Sequence, residues 1–137
     1  MTGWGVIYKN AKKLASRNEL FNRKTRIIQK VLDISDSAID FWGREHHKEH
    51  KKEYLLKTSV FVHGIDSLKK QINNISEFKS IDTEELIRDF RSYITLDAER
   101  PYELDTADID DKIALIINSS DEICNSIRQV FNKVKPD

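Results

Sequence analysis

The sequence predicts an all-α protein, and two observations support this prediction. Three stretches repeat apolar residues at alternating spacings of three and four, which keeps one stripe of a helix against a partner helix. Only four Gly and two Pro occur among 137 residues, too few for the turns of an all-β fold. We therefore expect one domain over residues 1–137: an elongated bundle of four to five helices with a long antiparallel coiled-coil-like hairpin. The three stripes are Leu20, Ile27, Val31, Ile34, Ala38 and Phe41; Tyr54, Phe61, Ile65, Leu68, Ile72 and Ile75; and Ile109, Ile113, Ile116, Ile123, Ile127, Val130 and Val134.

The first half of the chain predicts a helical hairpin. Neither Gly nor Pro occurs between Val6 and Phe41, so one helix could span this whole segment. The alternative is a break at residues 16–18, where Ser16 and Asn18 are good capping residues. Residues 43–53 contain no large apolar residue and shift the phase of the stripe, which predicts the hairpin tip. The next helix is expected over roughly residues 50–76.

Two further helices are predicted in the second half. Asp82 followed by Glu85 forms a capping box, the arrangement that begins a helix. The last helix is expected from about 107 to 134, with Asp108 and Asp111 interpreted as its capping residues.

The apolar stripes also predict the core and an association. Five residues should be almost fully buried: Phe61, Ile65, Leu68, Ile113 and Ile116. A second stripe, formed by Ile28, Leu32 and Ile39, widens the apolar face of the first long helix. Because one neighbouring helix does not cover so wide a face, a homodimer is a natural expectation.

Charge is balanced overall but segregated along the chain. Residues 1–30 carry eight Lys or Arg against one acid, whereas residues 82–111 carry eleven acids against three Arg. These segments could attract each other within one fold or between copies. The preference for Ile over Leu (17 to 10) and for Lys over Arg (15 to 8) suggests an AT-rich bacterial or phage gene.

A histidine cluster at the hairpin tip is one candidate site. His46 and His50 would share a face if this segment were helical, as paired metal ligands do. The neighbouring lysines at 48, 51, 52 and 57 oppose a cation there, so a solvated turn is the favoured interpretation. A metal-binding bundle that uses His46 and His50 is the alternative.

Arg44 and His50 carry a second alternative. Their spacing matches the loose Arg-x(4–6)-His pattern, and in this the chain resembles the HEPN-type helical ribonucleases. The resemblance covers these two residues and the all-helical class. It implies that Arg44 and His50 would lie in a groove of the bundle and act on RNA.

The N-terminal segment is a basic amphipathic helix. Such a helix can contact nucleic-acid phosphates or an anionic membrane surface, and it can also dock on its own bundle. The candidate binding residues are Trp4, Lys9, Lys12, Lys13 and Arg17.

The function that the sequence favours is non-enzymatic protein binding, as an adaptor, an inhibitor or an immunity-type partner. The reasons are the long amphipathic faces and the lack of a recognised catalytic, phosphate-binding or zinc motif. We expect no cofactor. The expected partners are another protein or a second copy of the chain, with nucleic acid as an option at the basic start. No apolar run reaches the roughly 18 residues of a membrane span, and the single Cys124 fits a buried thiol in the cytoplasm.

Overall fold

The computed structural model describes residues 3–75 and 83–133, with side chains described for residues 18–75 and 83–129. Within these ranges the chain folds into four α-helices without any β-strand, so the all-α prediction is confirmed. The helices are α1 (Gly3–Gly43), α2 (Lys51–Asn73), α3 (Thr83–Thr95) and α4 (Thr106–Lys133). Short 3₁₀ turns cover Lys48–His50 and Pro101–Glu103.

The first helix is unbroken. α1 contains 41 residues, which gives a length of about 61 Å at 1.5 Å per residue. The alternative with a break at residues 16–18 is therefore wrong, because Ser16 and Asn18 are tolerated inside a helix that has no Gly or Pro to interrupt it. α1 ends at Gly43, where the polar stretch begins, as the prediction of a hairpin tip requires.

The apolar stripe from Tyr54 to Ile75 forms the buried face of α2 and of the two residues that follow it. All six of its residues, from Tyr54 to Ile75, are buried. Lys30 of α1 donates a hydrogen bond to Ser67 Oγ of α2 at 2.7 Å, and the rings of Phe41 and Tyr54 lie 6.0 Å apart. Residue numbers that rise along α1 thus meet numbers that fall along α2, so these two helices run in opposite directions.

The predicted capping residues concern the starts of α3 and α4. Asp82, the predicted N-cap of α3, lies outside the described residues. At α4 the N–H of Asp108 donates to Asp105 Oδ1 at 2.8 Å, so Asp105 is the capping residue. The interpretation of Asp108 and Asp111 as caps is therefore wrong, because both already lie inside the helix.

Four of the five residues expected to be almost fully buried are so, while Val130 and Val134 of the third stripe lie outside the residues whose side chains are described. Ile65, Leu68 and Ile116 are at most 1% exposed and Phe61 is 3% exposed, as predicted. Ile113 is only partly buried and packs at the margin of the core. Ile109 and Ile113 both line a cleft at the start of α4, which leaves them partly exposed.

The wide apolar face of α1 is covered mainly within the chain. Its second stripe, Ile28, Leu32 and Ile39, is partly buried against the core. α1 packs on α2 and, more extensively, on α4, while α3 packs on the same two helices. Neighbouring helices thus contact the surface on which the homodimer prediction was based, and the homodimer stays a prediction.

Candidate functional site

The connection between α1 and α2 borders a cleft that brings together the candidate residues of the hairpin tip. This histidine cleft has a volume of about 310 Å³. Arg44, His46 and His50 all line it, so the structure places the ribonuclease and metal candidates in one location. The complete lining is Asp40, Phe41, Arg44, Glu45, His46, His47, His50, Glu53, Tyr54 and Lys57.

His46 is the packed member of the cleft. Its ring centroid lies 4.9 Å from that of Phe41, 5.3 Å from that of Tyr54 and 6.1 Å from that of Trp42. Its Nε2 atom is buried and has no hydrogen-bond partner among the described residues. Burial lowers the pKa of His46, and a hydrogen bond donated to the Phe41 backbone only partly offsets this effect. His46 is therefore part of an aromatic cluster that favours its neutral form.

The helical geometry assumed for paired metal ligands is absent. Residues 44–47 are not helical, so His46 does not share a helix face with His50. His50 instead lies beside His47, with ring centroids 5.9 Å apart. In the described part of the chain, no three or more His, Cys, Asp or Glu residues are grouped so that they could hold a metal ion. The geometry that motivated the metal interpretation is thus not present.

The polar side chains of the cleft already have partners of opposite charge. Arg44 forms an ion pair with Asp40 one helical turn earlier. His50 lies 3.8 Å from a carboxylate oxygen of Glu53, and this contact becomes an ion pair when the imidazole is protonated. The guanidinium and two nearby imidazoles could contact a phosphate and move protons. Such a ligand would have to compete with carboxylates for the cations.

One buried lysine, Lys112 of α4, was not identified from the sequence, and its ammonium group lies against the end of α3. Lys112 Nζ donates hydrogen bonds to the carbonyls of Tyr93 and Leu96, at 3.1 and 2.8 Å. The same ammonium lies 4.7 Å from the centre of the Trp42 ring, and the Trp42 indole N–H donates to the Ile94 carbonyl at 3.1 Å. α1 and α4 thus satisfy carbonyls that the end of α3 leaves without helical partners.

The environment of Lys112 is consistent with this structural role. It is 9% exposed, and burial lowers the pKa of its ammonium group. The signal was present in the sequence, because Lys112 lies three residues after Ile109 and four before Ile116. A lysine on an apolar stripe needs buried acceptors, which is a reason to look for a helix end nearby.

A second cleft adjoins the histidine cleft. It has a volume of about 330 Å³ and shares Arg44, Glu45 and His46 with its neighbour. The remaining wall is mainly apolar and includes Trp42, Pro101, Tyr102, Leu104, Ile109 and Ile113. The residue 44–46 segment therefore separates a polar cleft from an apolar one.

The basic end of α1 is only partly described. The backbone of Trp4, Lys9, Lys12, Lys13 and Arg17 belongs to α1, but their side chains lie outside the described residues. Farther along, a cleft of about 290 Å³ is lined by Arg23, Arg26, Ile27, Gln71, Asn74 and Ile75. In this cleft the guanidinium groups of α1 lie near the amide side chains at the end of α2.

Large apolar side chains are also exposed on the outside of the bundle. On α2 they are Leu55, Leu56 and Val60, which are 49%, 68% and 60% exposed. On α4 they are Leu115 and Ile117, at 43% and 42%. Phe21 and Leu96 are exposed separately. Leu56 and Val60 are one helical turn apart and form a cluster, whereas Leu115 and Ile117, two residues apart, lie on opposite flanks of α4. Clustered apolar side chains mark contact surfaces more often than isolated ones.

Comparison with known proteins adds no assignment. No protein-family model matches the sequence, and no curated protein or solved structure is significantly similar to the chain. Over residues 3–75 and 83–133, none of the helices has both the length and the apolar character needed to span a bilayer.

Proposed function

We propose that the chain is a non-enzymatic helical module that binds another protein through the outer surface of α2. The observation that supports this function is the exposure of Leu55, Leu56 and Val60 within six residues of one helix. Leu56 and Val60 are four residues apart, so their side chains are neighbours on the helix surface. Exposed apolar neighbours on a helix provide the anchors of helix-to-helix recognition.

The charges on α2 define the chemistry of the proposed partner. α2 contains five lysines against Glu53 and Asp66. Lys52, one helical turn before Leu56, is exposed, and so is Lys70, which lies five turns after Lys52 on the same side of α2. A suitable partner is therefore an amphipathic helix whose apolar residues are flanked by Asp or Glu.

The proposal also includes the finer architecture and setting. We take α1 and α2 as an elongated coiled-coil-like hairpin, supported by the contacts of Phe41 with Tyr54 and Phe61. The proposed setting is the cytoplasm, where a free buried thiol such as Cys124 stays reduced. Adaptor, inhibitor and immunity-type roles all use such a module.

Site-specific photo-crosslinking tests this proposal. A photoreactive residue in place of Val60 should capture one protein in the native host, and excess unmodified chain should suppress the capture. The matched control is the same residue in place of Phe21, which is 59% exposed on α1 but lies outside the proposed surface. Equal capture at both positions would contradict binding through α2.

The second candidate function is an RNA-cleaving or RNA-binding protein. It is favoured by one observation, that Arg44, His47 and His50 line the same cleft. In this alternative Arg44 contacts the phosphate and the two imidazoles act as acid and base. The basic residues at the start of α1 would hold the RNA backbone.

Incubation with a labelled RNA tests the second candidate. Wild-type protein should cleave it, and Arg44→Ala together with His50→Ala should abolish cleavage without changing helical content. The matched control is Lys51→Ala with Lys52→Ala, which removes nearby exposed charge but leaves the cleft residues intact. Cleavage that persists in the Arg44/His50 variant would exclude these residues as the active groups.

A further inference from the structure

A cleft between α1 and α2, at the ends of these helices that lie away from the histidine cleft, has two walls of different chemistry. This basic cleft has a volume of about 290 Å³. α1 contributes the guanidinium groups of Arg23 and Arg26, whereas α2 and its C-terminal cap contribute the amides of Gln71 and Asn74. All four side chains are exposed. Both walls therefore present groups that donate hydrogen bonds to a ligand.

The polar side chains of the basic cleft belong to two rows that face each other. Each row has spacings of three or four residues, which keep it on one side of its helix. The rows are Arg23, Arg26 and Lys30 on α1, and Ser67, Gln71 and Asn74 on α2 and its cap. Lys30 donates a hydrogen bond to Ser67 Oγ at 2.7 Å, which joins the two rows at one end. Beyond this bond the cleft is open to a ligand.

Cations outnumber acids at this end of both helices. Residues 20–32 of α1 contain four Lys or Arg and no acid. Residues 67–75 contain Lys69 and Lys70 and no acid. Of these two lysines, Lys69 lies 3.7 Å from a carboxylate oxygen of Glu84 in α3. A ligand that fits this surface therefore carries negative charge.

The two arginines of the basic cleft are accessible to an anion. Arg23 pairs with Glu19 at 2.7 Å, but both side chains are at least half exposed, and exposed pairs contribute little. Arg26 has no ion-pair partner in the part of the chain that the structure describes. A guanidinium donates two parallel hydrogen bonds to a phosphate, and amide NH₂ groups donate to its remaining oxygens. Phosphate is thus the anion that suits this set of donors.

The length of α1 favours a chain of phosphates over a single one. Because Arg23 and Arg26 share a cleft with Gln71 and Asn74, the end of α2 is level with this part of α1. Residues 3–22 of α1 therefore extend about 30 Å beyond the end of α2. The cationic positions on this segment are Lys9, Lys12, Lys13 and Arg17. Lys12 lies about three helical turns before Arg23, so these two positions are on the same side of α1.

We infer that the basic cleft binds the phosphate backbone of a nucleic-acid strand, with Arg23 and Arg26 on one side of a phosphate and the Gln71 and Asn74 amides on the other. The strand continues along the cationic N-terminal part of α1. Contacts of this kind position a strand and supply affinity but do not read its sequence.

This site differs from both sites that are discussed under the proposed function. Leu56 and Val60 lie in the first half of α2, whereas Gln71 and Asn74 lie at its end. Arg26 and Arg44 are about 27 Å apart along α1, so the basic cleft is also separate from the histidine cleft. Nucleic-acid binding in the basic cleft therefore requires neither the protein contact nor RNA cleavage.

Fluorescence polarisation with a labelled single-stranded oligonucleotide of mixed sequence tests this site. Arg23→Gln with Arg26→Gln should weaken binding by about tenfold or more at low salt. The matched control, Lys51→Gln with Lys52→Gln, removes the same charge from exposed residues at the other end of α2 and should weaken binding by less than about threefold. The slope of log affinity against log salt should become shallower by about 1.4 in the arginine variant, because two phosphate contacts are lost.

A second variant leaves the net charge unchanged. Gln71→Ala with Asn74→Ala removes only the amides and should weaken binding by about three- to fivefold. The salt dependence should stay as in wild type, because no cation is lost. All the replaced residues are exposed, so circular dichroism should show wild-type helical content for every variant.

Equal weakening in the arginine and lysine variants would overturn the assignment, because binding would then depend on overall charge alone. Wild-type affinity of the amide variant would overturn it too, since the strand would not contact the α2 wall. Binding of wild-type protein to vesicles of phosphatidylserine and phosphatidylcholine, with none to the oligonucleotide, would identify an anionic membrane as the partner instead. None of these outcomes affects capture of a protein through Val60, so the proposed function is tested separately.

Discussion

The two ends of α1 have opposite environments. At its C-terminal end Trp42 is completely buried and donates a hydrogen bond to α3, and His46 just beyond packs against three aromatic rings. Toward the N-terminal end, the described side chains at 18–26 are exposed or half-buried, and Arg23, Lys24 and Arg26 are among them. One continuous helix thus joins a packed end to a solvated cationic end.

This difference shows why the most conspicuous polar cluster is a weak indicator of function. His46 is a candidate metal ligand in the sequence, but it packs in an aromatic cluster. The buried Lys112 ammonium likewise donates hydrogen bonds to backbone carbonyls. Leu56 and Val60 lie outside the apolar stripe of α2, and both are exposed. Packing accounts for these polar groups, and the proposed function rests instead on the exposed apolar side chains of α2.

Truncation of Trp42 should have the largest effect on the packed end. Trp42→Ala removes a completely buried indole and its hydrogen bond to Ile94, and it also exposes the Lys112 ammonium. We expect the free energy of unfolding to fall by about 3–5 kcal/mol, measured by urea titration. A loss of under about 1 kcal/mol would mean that this end is not the rigid part of the molecule.

Replacement of Lys112 tests the cap of α3 with a smaller effect. Lys112→Met retains most of the side-chain volume over Trp42 but leaves the carbonyls of Tyr93 and Leu96 without their donor. The expected loss of stability is about 1–3 kcal/mol. Amide hydrogen exchange should accelerate in the last turn of α3 before it does so in α2. Unchanged exchange rates in the last turn of α3 would show that water replaces the Lys112 ammonium at these carbonyls without loss of stability.

Much of this packed end could have been read from the sequence, but its geometry could not. All six residues of the stripe from Tyr54 to Ile75 are buried, because α2 is one regular helix with a constant period, and only the polar Thr58 joins them from outside the stripe on α2. The position of His46 depends on four non-helical residues, 44–47, and periodicity does not constrain such a segment. The bonds of Lys112 depend on where α3 ends relative to α4, which is a tertiary relationship.

The candidate site shows the same limit. Sequence spacing grouped Arg44, His46 and His50 correctly in one region, and all three line the histidine cleft. It could not show that Arg44 pairs with Asp40 or that His46 is packed. Leu55 and Leu56 lie outside the apolar stripe of α2, but the spacing alone could not show that no other helix covers them.

The pH dependence of stability tests the packing of His46 at the C-terminal end of α1. Burial lowers the pKa of His46 below its ordinary value of 6.5, so the unfolded chain binds the proton more readily than the folded chain. The contribution of neutral His46 is fully present above pH 6.5 and is lost as pH falls through and below that value. His46→Phe keeps an aromatic ring in place, so its melting temperature should fall less than that of wild type between pH 7.5 and 5. Equal falls would show that His46 titrates as it does in the unfolded chain.

The smallest effect is expected at the exposed members of the histidine cleft. Arg44→Ala with His50→Ala removes side chains that are about half or more exposed. The free energy of unfolding should change by less than about 0.5 kcal/mol in urea titration. Adding His46→Ala to this pair should lower it further, because only His46 contributes to the aromatic cluster. A large loss of stability in the Arg44/His50 variant alone would show that these two side chains also contribute to the packing of this end.

The central claim is that partner contact at the outer surface of α2, rather than chemistry in the histidine cleft, is the function of the chain. Quantitative affinity purification from the native host tests it directly, with wild type compared with Leu56→Gln/Val60→Gln and with Arg44→Ala/His50→Ala. The account predicts that the first variant loses the specific protein partner and that the second retains it at the wild-type level. Loss of the partner from the Arg44/His50 variant, with full retention by the Leu56/Val60 variant, would contradict the claim.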